Sequence, residues 1–433
     1  MAPDKNPTLR RTLTFPEVVI SGVGVILGAG IYALIGEAAA MAGNATWISF
    51  ILAALIASFT GLSYMELSSM FPGASAEYEY SRHPFGNLVA FVIGIMVILS
   101  GIVGAATVAL GFAGYFSEWT GVPALPAAVT LLIVLCLILL AGIRQSAIFA
   151  IIFTLIEAGG LIGIIIIGLP YLGSVDYFAA PEGFPGIFAA AALIFFAYQG
   201  FEEIVKLSDE TIHPEKTIPA ALLVAIAITI LLYIAVSLSV VSIGGYEAIA
   251  GSPNPFAEIA GQAFSGGYTL FTIIALFATA NTALLMMLAS SRILYGMAKK
   301  KSLPAVIAYV HPGRRTPVVA IVGAAIVSIL FLLPGNIRDV ALIANFTLFI
   351  TFIIINTAVI RLRQTMPDVP RPYRIPGNIG RVPIPAVLGI VTCLLFLFQL
   401  EWQILFIGML LLVGAAGLGW ILSLQRTGSD ERQ

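Results

Sequence analysis

About twelve stretches of this chain are apolar for long enough to cross a lipid bilayer, for which a helix needs about 20 residues. They lie near 15–40, 44–70, 86–117, 124–142, 146–172, 186–206, 218–243, 267–297, 316–334, 338–362, 382–399 and 402–424. Hydrocarbon offers no hydrogen bonds, so a spanning backbone must satisfy its own polar groups as a helix or as a closed barrel. A barrel would read as short segments of alternating polarity, whereas 131–140 and 161–168 are continuously apolar. The chain is 59% hydrophobic and 10% charged, with mean hydropathy +1.03. Soluble domains carry about a quarter charged residues, so the solvent for this surface is lipid. The reading is an all-α integral membrane protein whose first run, too long for a cleaved leader, is retained.

Charge orients it. Lys and Arg accumulate on the cytoplasmic side of membranes. With the N-terminus inside and twelve crossings, every Lys and Arg except Arg338 falls on that side. The expected organisation is a cytoplasmic tail over 1–14, one transmembrane domain over 15–424 and a cytoplasmic tail over 425–433, in the cell membrane. Runs one to five (15–172) and six to ten (186–362) each open on an interrupted helix, which suggests two inverted repeats. The last two runs (382–424) are additional. Cys136 and Cys393 sit in apolar runs and read as small buried hydrophobes.

Two interruptions carry the chemistry. Gly28-Ala29-Gly30 breaks the first run, and Ala197-Tyr198-Gln199-Gly200 breaks the sixth. Irregular backbone at membrane depth is tolerated only where it is buried in protein or lines a cavity. A pair of such breaks in two halves of a chain points to the binding site of a secondary transporter. A half-helix that restarts at a break exposes unpaired N–H groups and the positive end of its dipole, which suit a carboxylate. One that stops there exposes carbonyls, which suit an ammonium or a cation. The competing reading of the first break is close helix packing through small residues. Phe196 is either an aromatic lid over such a site or a packing residue.

Glu157 lies within the fifth run with no basic neighbour in sequence. A carboxyl at that depth faces protein or water and either finds a partner or takes a proton. It is a candidate proton carrier or cation ligand, or else a structural hydrogen-bonding group. Glu202 and Glu203 follow the second break by about one turn, and Glu203 is expected to pair with Lys206. His83, His213 and His311 each stand beside proline in polar loops. No metal spacing, nucleophile motif, phosphate loop or basic stripe suggests an enzyme, a metal site or a nucleic-acid partner. No cofactor is expected.

These motifs resemble the amino acid–polyamine–organocation (APC) transporter superfamily, nearest its cationic-amino-acid-transporter-like and prokaryotic broad-specificity branches. Gly28-Ala29-Gly30-Ile31-Tyr32 is similar to the family's first-helix G-[SA]-G-I-F. Phe196-Ala197-Tyr198-Gln199-Gly200-Phe201-Glu202 resembles its sixth helix, Ala278-Thr279-Ala280-Asn281 its eighth, and Pro370-Arg371-Pro372-Tyr373-Arg374-Ile375-Pro376-Gly377 the loop after its tenth. The resemblance implies the five-plus-five inverted-repeat (LeuT-like) fold shared with sodium-coupled neurotransmitter transporters, with two extra helices. It also implies amino acid substrates, handled by secondary active transport. Carried over, the α-carboxylate meets the N–H groups of Ala29 and Gly30, and the α-ammonium the carbonyls of Ile26, Phe196 and Gln199. Proton-coupled relatives often carry a lysine where Glu157 aligns. Around it the carbonyls of Gly24 and Leu27 and the hydroxyls of Thr279 and Thr282 would complete a coupling site for H+, or less readily Na+. Ser100 stands where cationic-amino-acid relatives often have glutamate, which leans the substrate towards neutral amino acids. Exchange, a polyamine substrate, or a non-transporting sensor or accessory subunit are the alternatives.

Overall fold

The computed structural model describes residues 11–73 and 76–430, and for 143–151, 153 and 425–430 it describes the backbone alone. Residues 1–10 of the expected N-terminal tail and 431–433 of the C-terminal one lie outside the described residues. The chain is helical nearly throughout. Its α-helices are α1 (Phe15–Ile26), α2 (Gly30–Ala42), α3 (Thr46–Met70), α4 (Ala76–Phe85), α5 (Asn87–Thr120), α6 (Ala124–Ala141), α7 (Ile143–Gly168) and α8 (Gly183–Ile194). After two 3-10 stretches, Phe195–Tyr198 and Phe201–Glu210, come α9 (Pro214–Gly244), α10 (Pro255–Ala263), α11 (Gly267–Lys299), α12 (Val318–Leu330), α13 (Ile337–Thr365), α14 (Ile384–Leu397) and α15 (Trp402–Asp430). The strands β1 (Asn378–Ile379) and β2 (Val382–Pro383) form one small antiparallel hairpin.

Nine stretches of helix among the described residues are long and apolar enough to cross a membrane, one of them the joined run Gly30–Met70. Three further apolar helices, α1, α12 and α14, are shorter. α12 stops at Leu330, ahead of the Pro334-Gly335 turn where Gly335 has φ +71°. α15, by contrast, stays helical to Asp430, beyond the expected end at 424.

Both predicted breaks are present. α1 is held at its start by Glu17, whose carboxylate accepts from the Thr14 amide (2.8 Å) and hydroxyl (2.7 Å), a local cap. It ends at Ile26, and Leu27 to Ala29 leave the helix before α2 begins at Gly30. α8 ends at Ile194, Gln199 is extended (φ −57°, ψ 136°) and Gly200 takes φ +120°, a conformation that suits glycine.

The helices sort into two packed groups. α1 and α3 pack on α9 and on the 201–210 stretch, and α3 also packs on α8. α5 packs on α11, α6, α12 and α13, and α12 packs on α11 and α6. α7 touches both groups through α9 and α11.

The 370–377 motif forms a clip. Glu66 on α3 is buried; its Oε1 accepts from Arg363 Nε (2.8 Å), and its Oε2 from the Ile375 amide (2.9 Å) and from Arg363 Nη2. Arg371 Nε lies 3.3 Å from Glu66, while its other nitrogens donate to the carbonyls of Leu362, Met366 and Val369. One carboxylate thus serves two guanidinium groups and ties α3, α13 and the loop together. Breaking a buried pair by removing one partner costs about 3–5 kcal/mol. Glu66→Gln is therefore expected to lower the thermal midpoint of the purified protein by several degrees or more, and an unchanged melt would contradict the clip.

Candidate functional site

Where the two breaks meet, backbone touches backbone. A Cβ on Gly30 would lie 2.7 Å from Ala197 Cα, and one on Gly200 would lie 2.8 Å from the Val25 carbonyl oxygen. Any side chain at either position must push the broken helices apart. Close packing through glycine, one of the two readings of the sequence, is therefore present at both breaks.

Buried backbone polar groups need partners. At the breaks, side chains from distant helices supply most of them. The Tyr233 hydroxyl on α9 shares its proton between the carbonyls of Ile26 (2.8 Å) and Ala197 (3.0 Å), spanning both breaks. Asn345 on α13 donates to the carbonyls of Ala192 (2.7 Å) and Leu193 (3.1 Å), freed where α8 ends. Glu202 reaches back to accept from the Gly200 amide at 2.9 Å, a cap on the 201–210 stretch. Tyr233→Phe leaves two buried carbonyls short of a donor, at about 1–3 kcal/mol. That variant is expected to melt lower and to transport more slowly, and wild-type values in both assays would remove Tyr233 from the site.

Two of the implied ligand contacts are already filled within the protein. The Ala29 amide donates to Thr282 Oγ1 on α11 at 2.9 Å, and the Ile26 carbonyl is held by Tyr233 and by the Gly28 amide. The reason is local: a hydroxyl one helix away satisfies the break's first open amide. Among the described residues, the amides of Gly30 and Ile31 and the carbonyls of Gly24 and Leu27 have no protein partner. The open helix end is thus one residue further on than the resemblance implied. The Phe196 carbonyl accepts weakly from the Gln199 amide at 3.3 Å.

A cavity of about 660 Å³ reaches two of these residues, Gly24 and Gly30, while Ile31 stands behind Gly30. Of the residues singled out in sequence, it is lined by Gly24, Gly28, Gly30, Glu157, Phe196, Ala197, Gln199, Gly200 and Thr282. Ala29 and Leu27 are buried behind the break, and Thr279 turns its hydroxyl to the Ala275 carbonyl of its own helix. Residues with no role assigned from sequence also line it: Val97, Gly101, Asn281, Met286 and Ser290.

Glu157 is 1% exposed and faces this cavity, and its Oε1 has no hydrogen-bond partner. The carbonyl of the same residue accepts from Tyr32 at 2.8 Å. One turn earlier Thr154 receives a long hydrogen bond (3.4 Å) from Asn281, whose Oδ1 is also unpartnered. No ion pair engages Glu157 among the described residues. Two buried acceptors, from α7 and α11, thus stand without donors beside the first break. The signal for Asn281 was legible: an amide inside an apolar run must find a partner or a function.

The cavity runs to the end of the molecule that carries the basic residues, reaching Glu77, Lys206, Arg292 and Lys300. There Glu203 pairs with Lys206 at 2.5 Å, as expected, and Glu77 lies 3.9 Å from the same ammonium. Burial pushes the Glu77 carboxyl above its ordinary value, against the pull of Lys206. The opposite end is shut. The Gly251 amide donates to the Gly36 carbonyl (3.1 Å), the Tyr32 and Phe256 rings lie 4.6 Å apart, and the Tyr115 hydroxyl donates to the Tyr32 carbonyl (3.0 Å).

A family model described as amino acid permease matches residues 13–417. The chain is similar to the branched-chain amino acid permease BcaP of Bacillus subtilis (strain 168), 30% identical over 421 residues that cover 91% of this chain and 89% of that protein. It is similar to the methylthioribose transporter of the same organism, 30% identical over 428 residues, 92% of this chain and 90% of that one. The vacuolar cationic amino acid transporter 2 of Arabidopsis thaliana is 28% identical over 387 residues, 83% of this chain and 61% of that longer protein.

Proposed function

The chain belongs to the amino acid permease family, and from that premise we propose that it is a secondary active transporter of amino acids, working by alternating access as an H+ symporter. It is a multi-pass membrane protein, not an enzyme. The observation that carries the proposal is the open helix end at Gly30 and Ile31, whose Gly30 lines one end of a cavity that is shut beyond it and open towards the basic side. The amides and the positive end of α2 receive the substrate carboxylate. The carbonyls around the breaks (Phe196 and Gln199) receive its ammonium.

Orientation follows the basic residues, with both termini cytoplasmic in the cell membrane, so the open cavity faces inward. The substrate leaves on that side. Rocking of the α1, α3, α8 and α9 group against α5, α6, α11 and α12 closes this end and opens the other. The two groups come from inverted repeats over about 15–172 and 186–362. Glu157 carries the proton: it is buried, unpaired and lies within the membrane beside the substrate's helix end. A Na+ ion at the Gly24 and Leu27 carbonyls with Thr282 is the competing coupling scheme.

One observation favours a second reading of the substrate. A relative as similar as BcaP is named a methylthioribose transporter, and such a solute has no carboxylate. Uptake of labelled amino acids into proteoliposomes, driven separately by a proton and by a sodium gradient, tests both points. Accumulation with the proton gradient alone is expected. Accumulation with sodium alone would overturn the coupling, and uptake of no amino acid under either gradient would overturn the substrate class.

A further inference from the structure

Gln199 is 9% exposed, faces the cavity, and its Oε1 makes no hydrogen bond. Its Nε2 has no partner among the described residues either. The carboxamide therefore stands at the wall of the cavity bonded to nothing in the protein, its oxygen buried, although buried polar atoms are normally satisfied.

Its position is fixed by the turns of α11. Thr282 stands at the first break, bonded to Ala29 and in contact with Gly28. Met286 is the next residue on that face, about 6 Å along the helix. A Cβ on Gly104 of α5 would lie 2.9 Å from Met286 Sδ and 3.6 Å from Gln199 Oε1. One turn further, Ser290 lies against Gly101. The carboxamide oxygen thus lies beside Gly104 of α5 and the side chain of Met286, whose Cα is about one turn of α11 beyond Thr282.

We propose that Gln199 is the specificity-determining residue of the substrate side-chain subsite, and that the subsite takes a neutral amino acid with a hydrogen-bonding side chain. The inference rests on the carboxylate being held at Gly30 and Ile31. From that anchor a short side chain brings a hydroxyl or amide to Gln199, which both donates and accepts. Serine, threonine, asparagine and glutamine fit. An aliphatic side chain would leave the carboxamide unpaired, and sites built to hydrogen-bond a substrate group discriminate strongly against analogues that lack it. An acidic side chain finds no cation beside the carboxamide, since Lys206 is engaged by Glu203 and Arg292 stands six residues beyond Met286 on α11, towards the far end of the cavity. A basic one would have to compete with the Gly200 amide for Glu202, and Glu157 belongs to the α7 wall with Thr154 and Asn281.

The test is thermal stabilisation of the purified full chain by each of threonine, asparagine, glutamine, leucine, valine, arginine and glutamate, in wild type and in Gln199→Met. Methionine matches the length of glutamine and removes both hydrogen-bonding atoms, and Gln199→Leu serves if it misfolds. The wild type is expected to be stabilised most by threonine, asparagine or glutamine. In the variant their affinity falls about tenfold or more, and leucine overtakes them. Leucine or valine ranking first in the wild type, or a ranking unchanged in the variant, would overturn the subsite while leaving the amino acid site standing. Stabilisation of the folded wild type by no amino acid would overturn both.

Discussion

Gly30→Leu is expected to abolish substrate binding while the protein still reaches the membrane. Even the first carbon of a side chain at residue 30 would lie 2.7 Å from Ala197 Cα, so the two broken helices must separate. The remainder of a leucine side chain must be accommodated beside Gly30, which lines the cavity. Hydrogen bonds to a charged group contribute about 1.5–3 kcal/mol each. Losing two weakens affinity by at least about a hundredfold. Gly30→Ala grades the effect, since it adds the backbone clash without the longer blockade. Equilibrium binding measured on both variants checks this, and near-normal affinity in Gly30→Leu would remove the helix end from the site.

Glu157→Gln is expected to uncouple uptake from the proton gradient. Glutamine keeps the shape and the hydrogen-bonding capacity of a protonated carboxyl but cannot release a proton. One proton moving down one pH unit supplies about 1.4 kcal/mol, enough for about tenfold accumulation of substrate. Wild-type proteoliposomes should approach that ratio, and the variant should equilibrate to about onefold while still exchanging labelled for unlabelled substrate. The charge lies in a wall with two unpartnered acceptors, Glu157 Oε1 and Asn281 Oδ1, and no compensating cation among the described residues. An unchanged dependence on the gradient would return Glu157 to a structural role beside Tyr32.

The two breaks were legible because they depend on glycine, and glycine is visible in sequence. Gly30 and Gly200 stand where the two breaks meet backbone to backbone, and Gly200 needs its positive φ besides. Glu203 and Lys206 were legible as neighbours one turn apart. What closes the breaks was not. Thr282, Tyr233 and Asn345 are single polar residues in apolar runs, and the residues they bond are 36 to 253 positions away. Nothing in the local pattern pairs them. For this reason the Ala29 amide, expected to be open, is occupied by Thr282, and the Ile26 carbonyl by Tyr233 and the Gly28 amide. The 370–377 motif could be matched, but its role as an ion clip on Glu66 emerges only when α3 and α13 come together. Thr279 looked equivalent to Thr282, yet three residues on a helix turn its hydroxyl back to its own backbone.

The central claim is that a carboxylate sits on the open end of α2. The most direct measurement compares thermal stabilisation by amino acids with that by the amines left after removing their carboxyl groups. Ligands that bind only the folded state raise its midpoint, by about 2.7 kcal/mol of stability at a hundred times Kd. Stabilisation by a subset of amino acids, and by none of the matching amines, is the result expected. Stabilisation by the amines as strongly as by the amino acids would contradict it, because such ligands have nothing to offer the amides of Gly30 and Ile31.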